Sequence, residues 1–196
     1  MRPLAVAITG GIGAGKSEAL AAFARHGAAV ISSDEIVHRL LAENDEVRDK
    51  LRERFGEEVL DDAGRPDRSA IAEIVFADRE ALAWLEALLH PLVVKEYLAW
   101  RDELAEQLDP PAVCATEVPL LFEVGGEKRF DAVVVITAPR DLRSERANVP
   151  LEARERRLLP DEEKVERADF SFVNDRALAD LDAFVEGVIR ELEDRA

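Results

Sequence analysis

Leu4-Ala5-Val6-Ala7-Ile8-Thr9-Gly10-Gly11-Ile12-Gly13-Ala14-Gly15-Lys16-Ser17 is the stretch from which the rest of the chain is read. The apolar run Leu4 to Ile8 predicts a buried strand. Ser17 to His26, with Leu20, Phe23 and Ala24 on one face, predicts a helix that stops at Gly27. Between them, Gly10 to Ser17 fits G-x-x-x-x-G-K-[ST], the phosphate-binding loop, in the strand-to-helix setting that motif requires. Glycines let backbone N–H groups turn inward around phosphate oxygens. Lys16 is expected to reach the β- and γ-phosphates, the Ser17 hydroxyl to hold Mg²⁺, and the helix N-terminus to face the same anion. The dinucleotide pattern G-x-G-x-x-G fails, because Lys16 or Glu18 falls where its last glycine belongs.

A chain of 196 residues suits one domain with room for an inserted subdomain. No apolar run approaches the roughly twenty residues of a membrane span. No signal-peptide cleavage pattern follows Arg2. Cys114, the single cysteine, falls in an apolar run and reads as a small core residue. Three scattered histidines give no structural-zinc pattern. A cytosolic, monomeric protein is expected, with small molecules as its partners. The formal charge of −16 argues against nucleic-acid or anionic-membrane binding. A nucleotide site must therefore be locally positive within a negative molecule. The Arg140 to Arg157 segment answers this with Arg140, Arg143, Arg146, Arg154, Arg156 and Arg157 against Asp141, Glu145, Glu152 and Glu155. It reads either as salt-bridged helix surface or as an arginine lid over phosphates.

Along the chain, Ala28 to Ile31 is a second strand ending at Ser32-Ser33-Asp34. Ligands of open α/β sheets sit beyond the carboxyl ends of strands. Asp34 is thus a base or orienter for an attacking hydroxyl, a Mg²⁺ partner, or an N-cap for a helix from Glu35. Glu35 to Phe55 reads as one helix. Asp61 to Gly64 is a turn. Arg68 to Phe76 and Arg79 to Leu108 are helical, the latter interrupted at His90-Pro91. Trp84 and Trp100 read as core or pocket wall. Glu35 to Asp109 is far longer than a plain crossover, which predicts a helical insertion carrying the second substrate's pocket. Ala112 to Thr116, Ala132 to Thr137 and Phe170 to Val173 are further strands, and Ala177 to Asp194 a closing helix. Glu117, at a strand end, reads as an aid to Mg²⁺ or its water shell, or as a half-exposed charge. Alternating strands and helices behind a phosphate loop give a three-layer α/β/α domain on a parallel five-stranded sheet.

Several segments together resemble the dephospho-CoA kinase family. They are TGGIGAGKS (Thr9 to Ser17), VISSDEIVH (Val30 to His38), FGEEVLDDAGRPDR (Phe55 to Arg68), LEALLHP (Leu85 to Pro91), VPLLFE (Val118 to Glu123) and ADFSFVN (Ala168 to Asn174). The resemblance implies transfer of the γ-phosphoryl of ATP, with Mg²⁺, to the ribose 3′-hydroxyl of dephospho-CoA. It implies that Gly11, Ile12, Gly13, Ala14, Gly15, Lys16 and Ser17 cradle ATP. Asp34 is then catalytic beside Lys16, Arg146 is a lid arginine, and Asn174 lies near the adenine. His90, Pro91, Glu117 and Leu120 join Asp34 on the acceptor. The implied domains are a core of 1–34, 110–139 and 168–196, an acceptor-binding insertion of 35–109, and a lid of 140–167.

Two departures stand out. Ser32 occupies the family's first strand-two aspartate position. The lid is shorter than the family's, with Leu158 at its glutamine position and Arg154 or Arg157 as possible substitutes for missing lid residues. Two other readings are another P-loop nucleotide or small-metabolite kinase, and a degenerate non-catalytic ATP-binding relative. A GTPase is opposed by the lack of any N-K-x-D motif.

Overall fold

Strand β1 (Leu4–Gly10) is buried along nearly its whole length and is the centre of a five-stranded sheet. A computed structural model describes residues 2–147 and 158–195. The other strands are β2 (Ala29–Ser32), β3 (Val113–Glu117), β4 (Ala132–Thr137) and β5 (Phe170–Val173), in the spatial order β2-β3-β1-β4-β5. β1 runs parallel to β3, with Ile8 beside Glu117, and parallel to β4, with Gly10 beside Ile136; β4 runs parallel to β5. The chain leaves β1 toward one side of the sheet and reaches β4 on the other. The carboxyl end of β1 is therefore the switch point where α/β sheets bind ligands.

Alternation along the strands explains the core. Val6, Ile8, Val134 and Ile136 face α1 (Lys16–Arg25) and the closing helix, packing with Phe23, Leu181, Val185 and Leu192. Ala7, Val133 and Val135 face the opposite way, onto Leu121 and Phe122. Burial on both faces is why these strands read as continuous apolar runs. α1 closes as its composition predicts: Ala28 N–H reaches Phe23 O at 3.0 Å and Gly27 N–H reaches Ala24 O at 3.1 Å, a Schellman ending.

The chain divides into two compact units, Met1–Ile31 with Arg101–Ala196, and Ser32–Trp100. The second unit holds α2 (Ser33–Glu43), α3 (Asp45–Phe55), α4 (Arg68–Ala77) and most of α5 (Arg79–Ala105). Here two sequence expectations need correction. Glu35 to Phe55 is not one helix: the chain turns extended at Asn44, whose side chain accepts from Val47 N–H at 3.0 Å and caps α3. α5 is not interrupted at His90-Pro91 but runs through Pro91. Both residues are exposed, so solvent can take up the carbonyl left without a donor one turn back. Trp84 packs edge-on to Phe55, ring centres 5.2 Å apart, and Trp100 lies 5.9 Å from Tyr97.

The first unit continues with α6 (Arg140–Arg146), α7 (Asp161–Glu166) and α8 (Leu178–Glu193). Its buried polar anchor is Arg101, whose guanidinium bonds Asp131 at 2.6 Å and the Pro3 carbonyl at 3.3 Å, while Asp131 also accepts from Ala5 N–H. Among the described residues no helix is long and apolar enough to cross a membrane.

Asp182 of α8 joins that helix to α1: Arg25 Nε donates to its Oδ1, and His26 Nε2 lies 2.9 Å from its Oδ2. The Arg25 bond foremost, then that of His26, holds the Asp182 carboxyl below the ordinary aspartate range. A carboxyl depressed on folding adds stability above its unfolded pKa and loses it as pH falls through the folded value. Asp182→Asn is expected to lower Tm at neutral pH, and the gap from the parent to close as pH drops below about 4. A gap independent of pH in thermal melts would contradict this role.

Candidate active site

The phosphate loop emerges from β1 into α1. Gly15 precedes α1 at φ +101, a left-handed conformation that glycine adopts without strain, and no side chain caps the helix start. A Cβ at Gly15 would collide with the Asn174 amide nitrogen. That closeness is used: Asn174 Nδ2 donates to Ala14 O at 2.9 Å. At Gly13 a Cβ would come within 2.6 Å of the Arg143 carbonyl oxygen and 3.1 Å of its Cα. The two glycines thus let two other segments reach the loop, one from the end of β5 and one from α6.

Three of the sequence-predicted residues meet here. Lys16 Nζ donates to Gly11 O at 3.0 Å, keeping its charge along the loop. Asn174 is buried and bonded to Ala14. Arg146, exposed at the end of α6, donates through Nη1 to Asn174 O at 3.2 Å. Arg146, Asn174 and Ala14 therefore form one hydrogen-bonded chain. Ile12 is half-buried, and Ser17 is exposed in the first turn of α1.

Arg143 was not singled out from its neighbours in the sequence. Its side chain is 12% exposed, lies against Gly11, and has Nη2 3.8 Å from Asp161 Oδ2. The available signal was its i, i+3 spacing from Arg146, which sets both on one helix face. Gly11, Arg143 and Leu158 to Glu162 line a cleft of about 320 Å³. Two cationic side chains, Lys16 and Arg143, thus border the loop inside a strongly acidic protein.

Other predicted residues lie elsewhere. Asp34 is exposed in the first turn of α2, and that helix starts at Ser33, so Asp34 is not its N-cap. His90 and Pro91 are exposed within α5. Glu117 ends β3 and is buried, at 6% exposure, which rules out the half-exposed strand-end charge. Leu120 is half-buried three residues on. Arg154 and Arg157 lie outside the described residues.

No group of three or more His, Cys, Asp or Glu residues suited to a metal occurs among the described residues. A Mg²⁺ site of the kind nucleotide enzymes use needs none, since substrate phosphates and water supply most of its ligands. The Ser17 hydroxyl stands at the head of α1, where it could hold such an ion.

A parallel sheet whose central strand delivers a G-x-x-x-x-G-K-S loop, with arginines and an asparagine converging on that loop, defines a P-loop kinase. The dephospho-CoA kinase family model matches residues 4–180, and the chain belongs to that family. The dephospho-CoA kinase of Anaeromyxobacter dehalogenans is 39% identical, covering 90% of this chain and 91% of its own. A crystal structure of a Thermus thermophilus protein superposes with a TM-score of 0.78 at 36% identity, covering 98% of this chain and 99% of that one. Dephospho-CoA kinase from Campylobacter jejuni gives a TM-score of 0.72 at 29% identity, covering 97% and 98%.

Gly15→Ala is expected to push Asn174 off the loop and raise the Kd for ATP about tenfold or more, read by calorimetry. Parent-like affinity would show that the contact is dispensable.

Proposed function

We propose that this chain transfers the γ-phosphoryl group of ATP to the ribose 3′-hydroxyl of dephospho-CoA, releasing coenzyme A and ADP. The observation that carries this reading is the phosphate loop with Lys16, Arg143, Arg146 and Asn174 gathered on it, in a chain that matches the dephospho-CoA kinase family over nearly its whole length.

Phosphoryl transfer asks for alignment and charge neutralisation more than for covalent chemistry. Backbone N–H groups from Gly11 to Ser17 hold the β- and γ-phosphates. Lys16 neutralises charge that grows on their oxygens. Arg146 is the second cation on the phosphates, held in place through Asn174, and Asn174 itself marks the adenine side. The Ser17 hydroxyl would hold Mg²⁺, which would supply further charge neutralisation at the phosphates. Asp34 orients the ribose 3′-hydroxyl and accepts its proton as the new P–O bond forms. The bond from the γ-phosphorus to the β,γ-bridging oxygen breaks, and ADP departs. The helical segment 35–109, with His90 and Pro91, binds the acceptor together with Glu117 and Leu120. The remaining pieces, 1–34, 110–139 and 168–196, form the nucleotide core, and 140–167 is its arginine-bearing lid. The working unit is the single chain, acting in the cytosol on small-molecule substrates.

A coupled ADP-release assay across acceptors tests the substrate. ADP release is expected to depend on dephospho-CoA and to be slow with nucleoside monophosphates. Preference for another acceptor would assign a different small-molecule kinase, and ADP release with none would remove catalysis.

A further inference from the structure

We infer that Glu123 and Lys164 are positioning residues for the ATP phosphates, acting as one buried ion pair that holds Leu158 to Glu162 against the sheet. This rests on the phosphotransfer reading above. Lys164 has no exposed surface, and its Nζ lies 3.1 Å from Glu123 Oε1. The same Oε1 accepts the Leu159 backbone N–H at 2.9 Å. One carboxylate oxygen thereby ties down both Leu159, just before α7, and Lys164, within it.

What this pair fixes is functional wall. Leu158 to Glu162 line the cleft shared with Gly11 and Arg143, and Asp161 faces the Arg143 guanidinium. Leu159 packs on the Leu121, Phe122, Val133 and Val135 cluster, so the anchor rests on the rigid side of the sheet. Arg167 completes the seat, bonding Glu127 at 2.6 Å and stacking 4.4 Å above the Phe122 ring. The run VPLLFE thus acquires a mechanical purpose: its apolar residues support that segment, and its terminal glutamate pins it.

Stability alone does not account for such a pair. Burying an amine and a carboxylate costs desolvation that their attraction often fails to repay, and an apolar pair of equal volume serves a fold as well. Among the described residues neither the second oxygen of Glu123 nor Lys164 Nζ has a hydrogen-bond partner, so the contact between them is an ion pair only and the pair is incompletely satisfied. Its return is geometric. Two contacts to the one Glu123 oxygen set where Pro160 and Asp161 stand relative to Arg143, and electrostatic stabilisation of phosphates depends on such placement.

The test is steady-state kinetics of the full chain with Glu123→Gln, Lys164→Met and the double variant, each checked by thermal melt. Glu123→Gln keeps the acceptor for Leu159 N–H but removes the charge facing Lys164. Each single variant is expected to raise KM for ATP about tenfold, with KM for dephospho-CoA unchanged within about twofold. The double variant is expected to raise KM for ATP no further than either single one, the mark of residues acting as a unit, and to recover Tm. Equal rises in both KM values alongside a fall in Tm would overturn the inference in favour of a plain structural role. Unchanged KM for ATP in folded variants would overturn it outright. A parent enzyme inactive on dephospho-CoA would instead overturn the substrate reading, so the two failures are distinct.

Discussion

Asp34→Asn is expected to bind ATP nearly as the parent does and to transfer phosphate about 10³-fold more slowly. The amide keeps the size and one acceptor oxygen of the carboxylate. It loses the charge that the proposed role as base for the ribose hydroxyl requires. Because Asp34 is exposed in the first turn of α2, the exchange removes no buried contact, and the fold should tolerate it. The effect belongs in kcat, with KM for ATP and Tm little changed. A rapid-quench single turnover separates the chemical step from release. Near-parent turnover in the folded variant would remove Asp34 from the mechanism.

Lys16→Ala is the second large effect, and its pattern differs. Lys16 Nζ sits along the loop, donating to Gly11 O, where phosphate oxygens are expected to compete for it. In the proposed mechanism its charge acts on the bound triphosphate and more strongly on the transition state, because negative charge shifts toward the leaving oxygen as the bond breaks. ATP affinity is expected to fall about tenfold and kcat about 10²- to 10³-fold. Calorimetry with ATP and the coupled assay read the two parts separately. Loss of affinity with unchanged kcat would reduce Lys16 to a ground-state contact.

These two residues illustrate what a linear sequence reveals. Lys16 announces itself, because a phosphate loop is a local object: its glycines, lysine and serine are contiguous, and the strand and helix that frame it have their own periods. The strands were legible for the same reason, since β1 and β4 are buried on both faces and so are apolar throughout. Asp34 was placed just beyond a strand end as a base or orienter, a Mg²⁺ partner or an N-cap; the helix begins at Ser33, two residues before the expected Glu35, which excludes the cap alone.

Other features depend on partners distant in sequence. Nothing beside Arg143 says that it will lie on Gly11 and Gly13, and nothing beside Lys164, within an acidic stretch, says that it will be fully buried. Glu117 read as an aid to Mg²⁺ or as a half-exposed strand-end charge; β1 beside it explains the burial that excludes the second. Local competition accounts for the helix errors. Asn44 offers its own side chain to Val47 N–H and so starts a new helix, whereas Pro91 sits on an exposed face where the lost hydrogen bond is cheaply replaced by water.

The charge balance follows the same logic. With a net charge of −16 the molecule repels nucleotides on average, but charges more than a Debye length of about 8 Å from the loop are largely screened in physiological salt. Inside that distance Lys16, Arg143 and Arg146 set the local sign. Their gathering on one loop gives an acidic protein a workable phosphate site.

Phosphorus NMR of the reaction mixture tests the central claim most directly. Incubated with ATP, Mg²⁺ and dephospho-CoA, the protein is expected to generate a new phosphomonoester signal coupled to the ribose 3′ position, rising in step with ADP. Formation of ADP and inorganic phosphate without that signal, or a phosphomonoester at any other position, would contradict it.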